Sequence, residues 1–304
     1  MVRTTRNCFV IFVSFAAFFV FVVSVAAQTQ VFRASVDTVL VTVTVTDANG
    51  RLIPHLTKND FEVFEDGEPQ PVTQFTDRRV PVSLGVLLDA SDSMRGGAIV
   101  DARGAVDRFV ADLLEPNDEA FVSAFNHTPR LIARWTRPPV TLKGRLDSFQ
   151  PSGGTAIYDA IVASAPIFDK RTNTRAALIV ISDGADTASD RTLLQVREVL
   201  RRSDPFVYAI AIDSPDSRES TRVNPDALRE ITGPSGGYTE VVHGAADLAP
   251  ATERIATELN TQYTLGYTPM RAPDGSWRTI RVRIKDRNYF ARARRGYYAI
   301  PPER

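Results

Sequence analysis

The sequence predicts an α/β fold, a doubly wound and mostly parallel six-stranded sheet, carrying an accessory all-β domain built from both flanks. Three observations predict it. Between residue 82 and about residue 260, short apolar runs alternate with amphipathic segments, the pattern of βαβ units on a parallel sheet. Two of those runs end in an aspartate, Asp89 and Asp183, at the strand ends where open α/β sheets place their ligand sites. The stretches before and after this block have no helical period and read as strands and turns.

Taken in order, residues 36–47 (VDTVLVTVTVTD) alternate β-branched apolar residues with Thr or Asp, a strand that turns at Asp47-Ala48-Asn49-Gly50. Residues 61–67 give a second strand and turn, and residues 72–75 a shorter third. The middle block offers strands at 82–88, 119–125, 131–135, 176–182, 206–212 and 238–242, and helices at 97–114, 140–149, 155–168, 190–202, 225–232 and 246–260. The runs at 119–125 and 131–135 are too close for a crossover helix, so they predict a hairpin and one antiparallel edge. Residues 262–267, 277–285 and 289–298 are the closing strands, with turns at Pro273-Asp274-Gly275 and Asp286-Arg287-Asn288. Two independent hairpin sheets are the alternative, but small isolated sheets are marginal in water. The two flanks, 28–79 and 261–304, are therefore expected to pack together, with residues 80–260 inserted between them.

Composition bounds the function. The 304 residues are 43% hydrophobic, enough for a real core, and formal net charge is zero. That balance gives no footprint for nucleic acid. Residues 271–304 hold ten Arg or Lys against three acids, read as arginine-dressed strand faces and alternatively as a polyanion site. Residues 1–27 read as a signal peptide: Arg3 and Arg6 precede an uncharged run from Cys8, and Val25-Ala26-Ala27 offers small residues for cleavage. Uncleaved, that run is long enough to anchor the chain in a membrane. Localisation is thus expected to be exported: periplasm, cell envelope or extracellular. Cys8 is the one cysteine, so no disulfide or thiolate metal site is expected in the exported part.

The chemistry lies in Asp89-Ala90-Ser91-Asp92-Ser93, which follows the apolar run 82–88. One carboxylate and two hydroxyls emerge at spacing i, i+2, i+4, all oxygen donors of the kind hard cations prefer. Ser152-Gly153-Gly154-Thr155 then precedes a helix, placing a hydroxyl at its start, and the strand 176–182 runs into Asp183-Gly184. If the two strands are neighbours, Asp89, Ser91, Ser93, Thr155 and Asp183 converge. Taken singly, Ser91 and Ser93 could cap the following helix and Asp183-Gly184 could be a plain turn. Asp92 and Asp186 read as solvated loop carboxylates, Asp186 being the better candidate for an outer role.

This set, Asp-x-Ser-x-Ser, a later Thr after Gly-Gly and a later Asp-Gly after an apolar strand, resembles the von Willebrand factor A domain over residues 80–260. That family includes the integrin I-domain. The resemblance implies a metal-ion-dependent adhesion site (MIDAS). Ser91, Ser93 and, in one state, Thr155 would coordinate the ion directly, and Asp89 and Asp183 would act through water or hydrogen bonds. It implies Mg²⁺, or Mn²⁺ or Ca²⁺, as cofactor and a protein partner that supplies an exposed carboxylate. The family's last helix shifts between ligand states, so helix 246–260 is expected to couple the site to the β domain. The flanks, with Leu52 to Phe61, Phe64-Glu65-Asp66-Gly67, Tyr263-Thr264-Leu265-Gly266-Tyr267 and Arg294-Arg295-Gly296-Tyr297-Tyr298, are similar to exported von Willebrand factor A-related proteins of the Acidobacterial type.

The expected function is metal-dependent binding or adhesion, not catalysis. The alternatives are a structural envelope protein with a stabilising metal and, as a minor one, a hydrolase. Gly233-Pro234-Ser235-Gly236-Gly237 fits Gly-x-Ser-x-Gly, but a nucleophile elbow needs a strand before it and a helix after it, and here the order is reversed. His55, His127 and His243 lack metal spacing. The aromatic residues of the last block, among them Tyr263, Tyr267, Trp277, Tyr289, Tyr297 and Tyr298, read as cross-strand pairs and alternatively as a carbohydrate platform.

Overall fold

Alternation of β-branched and polar residues makes the first flank a set of half-buried strands. The computed structural model describes residues 38–138, 140–213 and 224–301; the expected leader, and the part of the first strand before residue 38, lie outside them. Strands β1 (Val39–Thr46), β2 (Phe61–Glu65), β3 (Glu68–Gln70) and β4 (Val72–Thr76) come first. The reading of 61–67 stopped at its turn and missed β3. Asp66 and Gly67 take φ of 50° and 90°, the left-handed pair that reverses a two-residue hairpin, and the chain returns through Glu68 and Pro69.

The α/β block follows as β5 (Val82–Asp89), α1 (Gly97–Arg108), β6 (Glu119–Phe125), β7 (Pro129–Thr136), α2 (Lys143–Asp147), α3 (Ile157–Phe168), β8 (Arg175–Ser182), α4 (Leu193–Ser203), β9 (Phe206–Ile212), α5 (Pro225–Ser235), β10 (Thr239–Val242) and α6 (Ala245–Thr261). Its sheet runs β10-β9-β8-β5-β6-β7, parallel except for the antiparallel hairpin β6–β7. β5, β6, β8 and β9 are buried at every position, which explains their near-continuous apolar runs. The two breaks in β5 have causes. Ser83 Oγ donates to Glu119 Oε1 at 2.5 Å on the next strand, and a Cβ at Gly85 would lie 2.5 Å from the Phe121 ring.

Helices cover both faces. On one, Ile99, Ala102 and Val106 of α1 and Leu248, Ala251 and Ile255 of α6 pack on Leu84, Val86 and Leu88. On the other, Ile157 and Ile161 of α3, Val196 of α4 and Leu228 of α5 pack on Leu87, Leu178 and Val180. The helix expected over 97–114 ends as α1 at Arg108 and continues as a π-helical turn over residues 109–113, burying Phe109 and Val110.

Strands β11 (Tyr263–Tyr267), β12 (Trp277–Ile284), β13 (Phe290–Ala293) and β14 (Gly296–Tyr298) close the chain. The single strand expected over 289–298 is two strands in two different sheets. Arg294 and Arg295 carry the crossing, where Arg295 N–H bonds Pro234 O at 2.9 Å and Arg295 O accepts from Ile280 N–H at 2.8 Å. Two four-stranded sheets result, β13-β1-β11-β4 and β14-β12-β2-β3, each mixing strands from both ends of the chain. Val41, Val43, Leu265 and Tyr263 of the first share one core with Phe61, Val63 and Ile280 of the second. Between the sheets, Glu65 accepts from Tyr267 (2.8 Å), Tyr297 (2.9 Å) and the buried Arg278 (3.2 Å).

The all-β part is tied to the α/β block by buried polar groups. Glu258 on α6 accepts from Thr44 (3.0 Å), Tyr208 (2.9 Å) and Arg292 (2.5 Å), which lie on β1, β9 and β13. Arg175, at the start of β8, donates to Val80 O at 2.5 Å and Leu259 O at 2.9 Å, joining the two chain segments that pass between the parts.

Candidate metal centre

The strand order places β5 beside β8, the point from which the sheet winds outward in both directions. At such a switch point the strand ends diverge and leave a crevice. Asp89 ends β5 and Asp183 follows β8, so both carboxylates stand at this crevice. Backbone hydrogen bonds bring the remaining loops to it. Asp92 N–H bonds Gly153 O (2.9 Å), Ser152 N–H bonds Ala90 O (3.0 Å), and Thr187 N–H bonds Thr155 O (2.8 Å).

The five predicted residues lie together. Asp89 Oδ1 accepts from Ser91 N–H at 2.8 Å, Ser91 Oγ lies 2.9 Å from Ser93 Oγ, and Ser93 Oγ donates to Asp183 Oδ1 at 2.7 Å. Thr155 comes from the loop before α3. A Cβ at Gly184 would lie 3.1 Å from Thr155 Oγ1 and 3.7 Å from Ser93 Oγ, so the two hydroxyls flank the bare glycine. Gly153, at φ 73°, lets the Ser152–Thr155 loop turn, and a side chain there would strike His127 at 2.6 Å. Neither serine caps α1, whose N-cap is Gly96, and Ser91 makes no side-chain cap bond to the 3-10 turn it begins.

Burial governs the electrostatics. Asp89 is fully buried, and removal from water pushes its carboxyl up to about 7, against the lowering effect of hydrogen bonds from Ser182 and Ser91. Asp183 is raised by the same cause. Among the described residues neither carboxylate has a cationic side-chain partner. Two buried carboxylates without a counter-charge, three hydroxyls around them and a glycine that leaves the space open suit a small hard cation. No group of three or more His, Cys, Asp or Glu converges among the described residues, so the donors here are chiefly hydroxyls.

Sequence reasoning missed Ser182, whose Oγ donates to Asp89 Oδ2 at 2.5 Å and accepts from Gly184 N–H at 3.2 Å. Its signal was a lone polar residue closing an apolar strand beside the one that ends in Asp89. Asp186 accepts from Tyr158 N–H (3.2 Å) and Ser189 Oγ (2.7 Å), so it caps the start of α3. Asp92 is exposed and pairs with Arg95. Ser235 of the Gly-x-Ser-x-Gly stretch accepts from Val207 N–H at 2.8 Å and donates to Thr232 O at 2.6 Å, a structural role at the end of α5.

Residues 84–185 match the family described as von Willebrand factor type A domain. With this strand order and donor arrangement, the chain carries a von Willebrand factor type A domain. It is 22% identical over 199 residues to inter-alpha-trypsin inhibitor heavy chain H2 of Mus musculus, covering 60% of this chain and 20% of that protein. The chain thus spans about a fifth of the length of the curated relatives it matches. A solved von Willebrand factor type A structure from Catenulispora acidiphila superposes with a TM-score of 0.53 at 15% identity, covering 80% of this chain and 74% of that one. An aerotolerance-related membrane protein from Bacteroides fragilis gives a TM-score of 0.50 at 23% identity, covering 59% of this chain and 98% of that one.

Proposed function

We propose that this protein is an exported binding protein that captures an acidic group of a protein partner through a divalent cation. Ser91, Ser93 and Thr155 would hold the ion through their hydroxyls, with Asp89 and Asp183 acting from behind through water or hydrogen bonds. The ion, Mg²⁺ or in its place Mn²⁺ or Ca²⁺, would supply a strong local positive charge. One observation carries the reading: three neutral hydroxyls cluster with two carboxylates, Asp89 and Asp183, that are buried and engaged by serines. Such a donor set under-neutralises a dication and leaves it an appetite for one more carboxylate. The kinship with inter-alpha-trypsin inhibitor heavy chains supports binding as the role.

Export rests on the leader expected over residues 1–27. No helix among the described residues is long and apolar enough to cross a membrane.

Water proton relaxation with Mn²⁺ tests the site without a known partner. The protein is expected to bind Mn²⁺ with water still on the ion, and glutarate to displace that water and lower the relaxivity. Thr155→Ala and Ser93→Ala are each expected to weaken Mn²⁺ by at least about tenfold while keeping the melting temperature of the metal-free protein. If Mn²⁺ stays free in solution, or binds equally well to both variants, the proposal is wrong.

A further inference from the structure

A second cavity lies at the opposite, amino-terminal end of the parallel strands, where α4 and α5 meet β12 and β14. Its volume is about 340 Å³, the size of a small organic molecule. Leu200, Ile231, Pro234 and the Trp277 indole give it apolar walls. Its charged lining is one-sided: Arg197, Arg201, Arg294 and Arg295 against the single carboxylate of Asp204.

Most of that positive charge is answered from within the protein. Arg197 pairs with Glu230 at 2.8 Å, Arg294 pairs with Asp204, and Arg201 lies 4.0 Å from Glu198 while stacking 4.8 Å over the Trp277 ring. Arg295 differs. Among the described residues it has no carboxylate partner, and its guanidinium stands near Gly233 at the rim. The Nε atoms of Arg197 and Arg294 are buried and closed to solvent, which leaves Arg295 as the guanidinium open to a ligand. The site therefore leaves the Arg295 guanidinium without a carboxylate among the described residues, beside an aromatic wall.

We propose that this cavity binds a monoanionic carboxylate on a compact apolar body, with the carboxylate on the Arg295 fork and the body against Trp277. Planar guanidinium pairs with planar carboxylate through two parallel hydrogen bonds, which a neutral amide cannot reproduce. The body would take the apolar space between α5 and the indole. A free organic acid and the terminal residue of a peptide share this chemistry. The site is separate from the Asp89–Asp183 crevice and needs no metal.

The chain has two tryptophans, so fluorine NMR of the full chain labelled with 5-fluorotryptophan reports on the cavity directly. Trp135 packs against Phe121 and Phe168 and serves as the internal control. Titration with 3-phenylpropionate, in EDTA, is expected to shift the Trp277 resonance saturably and leave Trp135 still. 3-Phenylpropionamide is expected to bind about tenfold more weakly, and Arg295→Gln to weaken the acid by a similar factor. Arg295 is exposed, so the variant is expected to keep the wild-type melting temperature. A phenylalanine-ended tetrapeptide with a free carboxylate separates the sources: if it saturates the same shift the site accepts chain ends, and if only the free acid does, it is a small-molecule site. No shift at millimolar acid, equal binding of acid and amide, or unchanged affinity in Arg295→Gln overturns the proposal.

Discussion

Asp89 and Asp183 are buried beside serines and glycine, and this determines how the metal-free protein answers to pH. Each is raised above the ordinary carboxylate value, Asp89 to about 7. Between the unfolded value of 3.8 and that figure the folded state holds more protons than the unfolded one, so stability falls as pH rises. Carboxylates held low in the fold, such as Asp60, Asp66 and Glu119, still take up protons in the unfolded state at 3.8 and 4.5, so their opposing slope is confined to the lower end of this range and fades above about pH 5. Thermal melts in EDTA are therefore expected to drop between pH 5 and pH 7.5, and Asp89→Asn to flatten the slope. A melting temperature that climbs over the same interval contradicts this. Saturating Mg²⁺ is expected to reverse the trend, because an ion that needs ionised carboxylates binds more tightly as protons leave. Gly184→Ala makes a second prediction at this scale. The new methyl, 3.1 Å from Thr155 Oγ1, is expected to cost about tenfold in Mn²⁺ affinity by calorimetry with little change in melting. The convergence of Asp89, Ser91, Ser93 and Asp183 was legible because oxygen donors follow two apolar runs, and that of Thr155 through the resemblance in motif order. Ser182 was hidden because a serine closing a strand carries no signal until its neighbour is known.

At the scale of elements, α6 bears a buried polar commitment. Its Glu258 takes hydrogen bonds from three other elements. Glu258→Gln keeps the shape but removes the charge facing Arg292, and Glu258→Ala leaves Thr44, Tyr208 and Arg292 without their acceptor. We expect urea unfolding to report a loss of about 2–4 kcal/mol for the alanine variant and clearly less for glutamine. Equal small losses would show the network to be incidental. Elements with strong periodicity were read well: β1, β5, β8, β9 and α6 lie within a few residues of their expected bounds. Errors came where local signals were weak. β3 was missed because Pro69 lowers strand propensity, although as an edge strand it tolerates proline. The split of 289–298 was invisible because Arg294 and Arg295 fit a strand as readily as a crossing. Only the partners of Arg295, on α5 and β12, distinguish the two.

For the whole molecule, the α/β block and the sandwich differ in what they demand of the chain. The block draws all six strands from one continuous stretch. The sandwich takes β1–β4 from before it and β11–β14 from after it, and no sheet in it is complete without both. A chain stopped after residue 261 is expected to keep a protease-resistant α/β core and lose β1–β4 to trypsin, seen as a stable fragment beginning near residue 79. Survival of the first flank in that truncated chain would mean that β1–β4 fold alone. The flank strands were legible from their alternation, but their partners were not, because pairing across some 200 intervening residues leaves no local trace.

The interleaving also sets a timetable. Val43 on β1 must find Tyr263 and Ala293, residues that leave the ribosome long after it does. Until then its backbone donors stay open to any passing strand, including that of another nascent chain. Loop closure over such a span is slow, so the sandwich is the last part to assemble and the α/β block must first bring its own ends together. Strands β11–β14 thus act as a latch on β1–β4, and a chain interrupted before them is left sticky at its first strands.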